Sequence, residues 1–297
     1  MSKITFIYAY QNEDWSTPLA LAREFESRNW EVEFVSIGDN RIGRYNDIKL
    51  HEWVNSDKET DIVIFLDWGR FDSKSLDKRK KDAFWVQESG DDPQNFEKNF
   101  PKAERFHITL SPDVDSVEEY KKRGIDAHWF THFADTRVQF PIKDAETKFV
   151  AVTTRGQGGS QFLDTLSKHG KGAFGNQGGM NYKEHTEFLN SGLMVVQNSR
   201  WGEVTRRIFE GMACGKLVLT DRLKDSKKLQ ELFIEGQEIV FYDDIVDCIN
   251  KMNHFTKHED VREGIAKKGM EKVLKNHTQV QRVDFIISKF QEFKKNG

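Results

Sequence analysis

The strongest constraint in this sequence is a rhythm: short apolar runs alternate with longer amphipathic stretches, and the whole pattern starts over near the middle. In the first half the strand-like runs fall at residues 4–8, 32–37, 62–68, 84–88, 106–110 and 128–133. They resume after Pro141 and the charged, non-periodic segment 143–148, at 149–154, 173–176, 193–198, 217–220 and 239–242. Helices are expected at 15–28, 161–168, 182–190, 204–214 and 229–233, with an amphipathic tail over 260–293 that breaks near 276–278. Alternation of this kind predicts βαβ units and parallel sheets. In a chain of 297 residues it predicts an α/β protein of two Rossmann-like, doubly wound domains, 1–143 and 144–297, facing across a cleft, with the terminal helix able to pack back on the first domain.

Composition narrows the setting. Hydrophobic residues make up 37% of the chain and charged residues 31%, yet 23 Phe and 7 Trp are enough to fill two cores. Apolar runs stay well short of the roughly 20 residues that span a bilayer, so no membrane span is expected. Met1-Ser2-Lys3 leads directly into a strand-like run, and Cys214 and Cys248 suggest neither a disulfide framework nor a metal site. A reducing cytoplasm is the expected location. The net charge of −3 advertises no global attraction to nucleic acid, which leaves local basic runs at 74–81 and 121–123 as the places where DNA phosphates could be met.

The chemistry concentrates in one stretch, Gln197 to Lys216, which runs from a buried strand through a polar loop into a helix closed by Gly215. The start of that helix, around Glu203–Thr205, offers unsatisfied backbone N–H groups and the positive end of a dipole, which suit a diphosphate. Arg206 and Arg207 can add charge-assisted hydrogen bonds to phosphate oxygens, and Glu210, deeper in the helix, can accept both hydroxyls of a ribose. Arg155 opens a glycine-rich segment after the strand at 149–154 and is a second candidate for phosphate. In the first half, Glu88 and Asp91 lie at the carboxyl end of a strand and are candidate proton acceptors, whereas Asp92, directly before Pro93, reads as a turn residue. His132 and Asp135 lie near the expected interdomain crossing. Asp113-Val114-Asp115 spells a D-x-D pattern that can bind a divalent cation but equally suits a turn into a helix near Ser116; the two-half architecture favours the turn.

The run Arg207-Ile208-Phe209-Glu210-Gly211-Met212-Ala213-Cys214-Gly215 resembles the R-x-F-E-x-x-A-x-G core of nucleotide-sugar glycosyltransferases with the GT-B fold. Within them it is most similar to glycosyl transferases of group 1 type, the CgeB-like transferases and their phage-encoded counterparts. The resemblance extends through Ile265-Ala266-Lys267-Lys268-Gly269 and His277-Thr278 to Arg282, and more loosely to Phe84-Trp85-Val86-Gln87-Glu88. It implies that Glu210 holds the donor's ribose and that the preceding loop, with Asn198, Ser199 and Thr205, holds diphosphate and sugar. Larger retaining relatives carry an acid eight positions before the ribose-binding glutamate. Here Gly202 stands at that position and Glu203 is the nearest acid.

The resulting expectation is a hexosyl- or pentosyltransferase that needs no metal or other cofactor. It would move a sugar from a nucleotide-diphosphate donor, a UDP-sugar by default, to an acceptor hydroxyl. The first acceptor to consider is a hydroxymethylated pyrimidine in phage DNA. The alternatives are a cell-surface or spore polysaccharide acceptor, a nucleotide-sugar epimerase of the same fold, and a catalytically silent nucleotide-sugar binding module.

Overall fold

The computed structural model describes residues 1–8, 16–37, 48–67, 80, 82–154, 162, 164–166, 168, 173–175, 181–199, 202–223 and 228–296. They form two compact units, one of Met1–Thr131 with Gln279–Gly297 and one of His132–Thr278.

The first unit holds strands β1 (Lys3–Tyr8), β2 (Glu31–Ser36), β3 (Ile48–Lys49), β4 (Ile62–Asp67), β5 (Phe84–Ser89), β6 (Ile108–Ser111) and β7 (Ala127–Trp129). They make a parallel sheet in the order β3-β2-β1-β4-β5-β6-β7, so the chain reverses direction of growth between β1 and β4. Helices α1 (Thr17–Ser27), α2 (Leu50–Val54), α3 (Phe96–Ala103) and α4 (Val114–Lys122) accompany it. Strands covered on both faces read as continuous apolar runs, and Ile4, Phe6 and Ile7 of β1 are all fully buried. The helical spacing of Leu19, Ala22 and Phe25 places all three in the core, where Phe25 meets the Phe6 ring edge-on at 6.3 Å.

The second unit holds β8 (Phe149–Thr154), β9 (Ala173–Gly175), β10 (Gly192–Gln197), β11 (Leu217–Asp221) and β12 (Val240–Tyr242), in the order β12-β11-β10-β8-β9. Its helices are α5 (Tyr182–Asn190), α6 (Arg206–Ala213), α7 (Lys228–Leu232), α8 (Ile245–Lys257) and α9 (Glu259–Asn276). Met194, Val196, Leu217 and Leu219 from the strands pack against Met252, Phe255 and Ile265 from the helices. Gly269 of α9 sits so close to the Glu238 backbone carbonyl that a Cβ would collide with it. The final helix, α10 (Gln279–Asn296), belongs to the first unit. There Asp284 pairs with Arg28 at 2.6 Å and Phe290 meets Trp30 edge-on at 6.0 Å.

Several boundaries differ from the sequence expectation. The division falls between Thr131 and His132 rather than at 143/144. The segment after His132 is bonded into the second unit: Ala134 N–H donates to the His277 carbonyl, Thr186 Oγ1 to the Val138 carbonyl, and Asn190 Nδ2 to the Phe140 carbonyl. Strand β6 starts two residues later than the apolar run, and just before it the His107 imidazole accepts the Trp85 N–H through Nδ1 at 2.8 Å. Helix α8, which the sequence reading passed over, is capped by Asp244, whose side chain accepts the Asp247 N–H. The helix expected at 161–168 is described only at 162, 164–166 and 168.

Candidate functional site

The site is built at the carboxyl end of β10. That strand is buried through Met194, Val195, Val196 and Gln197 and then gives way to a polar loop. The loop is tied to neighbouring strands. Tyr242 at the end of β12 donates its hydroxyl to the Gln197 carbonyl at 2.7 Å, and Asn198 Oδ1 lies 3.4 Å from the same hydroxyl. Ser199 donates its backbone N–H at 2.7 Å and its Oγ–H at 2.6 Å to the carboxylate of Asp221, the last residue of β11. Gly202 then turns the chain at φ +72°, a region open to glycine without strain.

Thr205 is the extended N-cap residue of α6; its Oγ1 is buried and has no hydrogen-bond partner among the described residues. The first N–H groups of a helix have no intrahelical acceptors. Here they open next to Arg206 and Arg207. Gly211 lets the helix lie close to the sheet, since a Cβ there would be 3.1 Å from a methyl of Val195 on β10 and of Val218 on β11.

Glu210 is 3% exposed. Its Oε1 lies 2.9 Å from Arg206 Nε, one helical turn earlier, and its Oε2 lies 4.0 Å from Nε2 of His185 on α5. The Arg206 guanidinium also faces the Phe133 ring, 5.9 Å from its centroid. Burial lowers the pKa of Arg207, with Glu210 and Glu203 opposing the shift. Burial also lowers the pKa of His185; Glu210 opposes that shift, while Arg206 and Arg207 add to it. The Cys214 thiol at the far end of α6 is pushed up to about 12, mainly by burial, which makes it a poor nucleophile. A helix N-terminus, two guanidinium groups and a buried carboxylate within two turns can meet a polyanion and a diol together.

The structure therefore brings Thr205, Arg206, Arg207 and Glu210 onto one helix start, with Asn198, Ser199 and Glu203 on the loop that feeds it. Both donors of Ser199 are committed to Asp221, so its role in this geometry is to fix the loop. Arg155 lies outside the described residues. Glu88 and Asp91 belong to the first unit: Glu88 is 7% exposed at the end of β5, and Asp91 is exposed with φ +58°. Asp92, read from sequence as a turn residue, is a buried anchor. It accepts from Ser89 Oγ at 2.6 Å, Ser111 Oγ at 2.9 Å and Asn99 Nδ2 at 3.1 Å, and burial pushes its carboxyl up to about 6. Asp113 of the D-x-D pattern caps α4, accepting the Ser116 N–H and Oγ–H at 2.9 and 2.7 Å. Asp135 is fully buried and accepts the Arg137 N–H.

His185 and Asp221 escaped the sequence reading. An acid closing a strand at a sheet's carboxyl edge was a usable signal for Asp221. A single histidine on a helix gave none for His185.

Residues 155–288 match a family profile described as "Glycosyl transferase-like". No curated protein matches the chain by sequence. Among solved structures, sucrose-phosphate synthase from Thermosynechococcus elongatus superposes with a TM-score of 0.74 at 12% identity, covering 100% of both chains. Anabaena Alr3699/HepE in complex with UDP and glucose gives 0.75 at 13% identity, covering 98% of this chain and 100% of the other. An alpha-glucosyltransferase in complex with UDP and a 13-mer DNA gives 0.74 at 10% identity, again covering 98% and 100%. The fold is GT-B. Within this GT-B chain the family match contains the whole β10–α6 site.

Proposed function

We propose that this GT-B chain is a glycosyltransferase of the CgeB-like kind that moves a sugar from a nucleotide-diphosphate donor to an acceptor hydroxyl. The observation that carries the reading is the buried Glu210 carboxylate set beside Arg206 and Arg207 at the start of α6. In this account Glu210 accepts hydrogen bonds from the ribose hydroxyls. The α6 N–H groups, Thr205 Oγ1, Arg207 and Arg155 meet the diphosphate. The acceptor oxygen attacks the anomeric carbon as the bond from that carbon to the diphosphate oxygen breaks, and the hydroxyl proton passes to a carboxylate, Glu88 or Asp91. Negative charge growing on the departing diphosphate is stabilised by the chain's own cations and helix end, without a required metal. In this account Glu203 approaches the sugar. UDP is the default nucleotide, in keeping with the UDP held by the HepE and alpha-glucosyltransferase neighbours.

For the acceptor we propose a hydroxymethylated pyrimidine in DNA, the reading of a phage-encoded enzyme working in the host cytoplasm. Its support is the fold neighbour whose structure contains UDP and a 13-mer DNA. No helix among the described residues is long and apolar enough to cross a membrane. One observation favours a polysaccharide acceptor instead. The basic run at 121–123 is paired within its own unit, Lys121 with Glu118, Lys122 with Glu119, and Arg123 with Glu119 and Glu97. The neighbouring acids reduce the net positive charge that this run offers to a phosphate backbone.

Incubation of the protein and mixed nucleotide sugars with hydroxymethylcytosine DNA or a glycan, followed by mass spectrometry of the nucleosides, the glycan and the remaining donor and by a donor-binding measurement, separates the readings. An added hexose or pentose mass on the base supports DNA. Transfer only to a glycan supports the polysaccharide reading. Sugar epimerised without an acceptor supports the epimerase, and donor bound without turnover supports the binding module; either of these overturns the transferase.

A further inference from the structure

A carboxylate that must present itself to a diol needs both oxygens held, and Arg206 accounts for only one. It sits four residues from Glu210 on the same helix and approaches Oε1 at 2.9 Å. Oε2 faces His185, which comes from α5 and is itself 6% exposed. Helix α5 is a firm mount for that side chain. A reciprocal cap between Asn181 and Glu184 closes its first turn. Thr186 Oγ1 bonds the Val138 carbonyl at 2.7 Å, and Asn190 bonds the Phe140 carbonyl at 3.0 Å and the Ile142 N–H at 2.9 Å. The His185 backbone is thereby fixed on both sides while its imidazole points at the carboxylate.

The charges around it fix its useful form. Arg206 and Arg207 already balance Glu210 and Glu203, and a third cation in so buried a place is unfavourable. A neutral imidazole still has one N–H to give. At 4.0 Å the Nε2–Oε2 separation is longer than a hydrogen bond, and functional contacts of this length commonly tighten when the ligand arrives. We propose that His185 is a positioning residue for Glu210, its neutral Nε2–H steadying Oε2 so that the carboxylate meets the donor's ribose. The proposal rests on the reading of Glu210 as the ribose-binding group. It carries a regulatory consequence. Once protonated, His185 pairs with Glu210 and competes with the ribose hydroxyls, so donor affinity falls on acidification. Among the described residues, the charged groups that act on the imidazole are Glu210, Arg206 and Arg207, all on α6.

The test is calorimetric titration of UDP into the wild type, His185→Gln, His185→Asn, Glu210→Gln and the Asn/Gln double variant, with Tm recorded for each. Glutamine carries an amide N–H to about the position of Nε2, and asparagine does not reach it. His185→Gln is expected to keep UDP affinity within about twofold. His185→Asn is expected to lose roughly tenfold, the worth of one hydrogen bond to a charged group. The double variant should bind no worse than Glu210→Gln. Wild-type affinity should weaken at acid pH, below the ordinary histidine value of about 6.5, and His185→Gln should lack that limb. If Asn and Gln variants bind equally well while Glu210→Gln is weakened, the His185 role is wrong. If Glu210→Gln binds UDP like the wild type, the ribose reading itself is wrong. Should the Asn variant fail to fold, the pH series on wild type and His185→Gln decides, and identical slopes overturn the proposal.

Discussion

Asp92 gives the fold a pH dependence whose size follows from its surroundings. The side chain is 2% exposed, and burial raises its carboxyl from 3.8 to about 6 against the opposing hydrogen bonds of Ser89, Ser111 and Asn99, with the Asp113 charge adding to the rise. Between those two values the native state holds a proton that the unfolded chain has released. Stability from this group is therefore fully present below pH 3.8 and is lost as pH rises through about 6. At 1.36 kcal/mol per decade the loss is on the order of 3 kcal/mol. The perturbation is Asp92→Asn, which removes the titration and keeps the side-chain shape. Urea unfolding of both proteins from pH 4 to pH 7 is the assay. The exposed carboxylates titrate alike in both proteins and cancel in the difference. Wild-type stability minus variant stability should fall by about 2–2.5 kcal/mol across the range, the rest of the loss lying below pH 4. A difference that stays flat, or that rises with pH, refutes the reasoning.

Three further outcomes are expected. Gly269→Ala should destabilise the second unit by about 1–3 kcal/mol in urea unfolding, because the new methyl meets the Glu238 carbonyl and the clash outweighs the ~1 kcal/mol that alanine adds to a helix; a stabilised variant would contradict this packing. Asp221→Ala removes the acceptor of both Ser199 bonds and should cost about 2–3 kcal/mol, with Asp221→Asn costing less, both read from thermal melts. Arg207→Ala should lower kcat/KM for the donor roughly ten- to hundredfold in protein that is still folded at the assay temperature; a folded variant at the wild-type rate removes Arg207 from the diphosphate site.

Much of this was legible in the sequence for a physical reason. Parallel strands covered on both faces must be apolar throughout, so β1, β4, β5, β10 and β11 each stand out as runs. The path from Gln197 through Gly202 to Gly215 marks strand, turn, helix and stop with local residues. What escaped depends on partners distant in sequence. The segment after His132 looks like a strand leading into a linker, and it is Thr186 and Asn190, on α5, that claim its backbone for the second unit. Asp92 looks like a turn because nothing beside it reveals that Asn99 and Ser111 converge on its carboxylate. His185 has no local signature, since the contact that matters is made by the approach of α5 to α6.

The central claim is sugar transfer from a nucleotide-diphosphate donor bound at the start of α6. It is tested most directly by following nucleoside diphosphate release from a panel of nucleotide sugars, with and without hydroxymethylated DNA and glycan acceptors, for the wild type and Glu210→Gln. The account predicts acceptor-dependent release of UDP by the wild type and a large loss in the variant. Release that ignores the acceptor, or that is the same in both proteins, would contradict it.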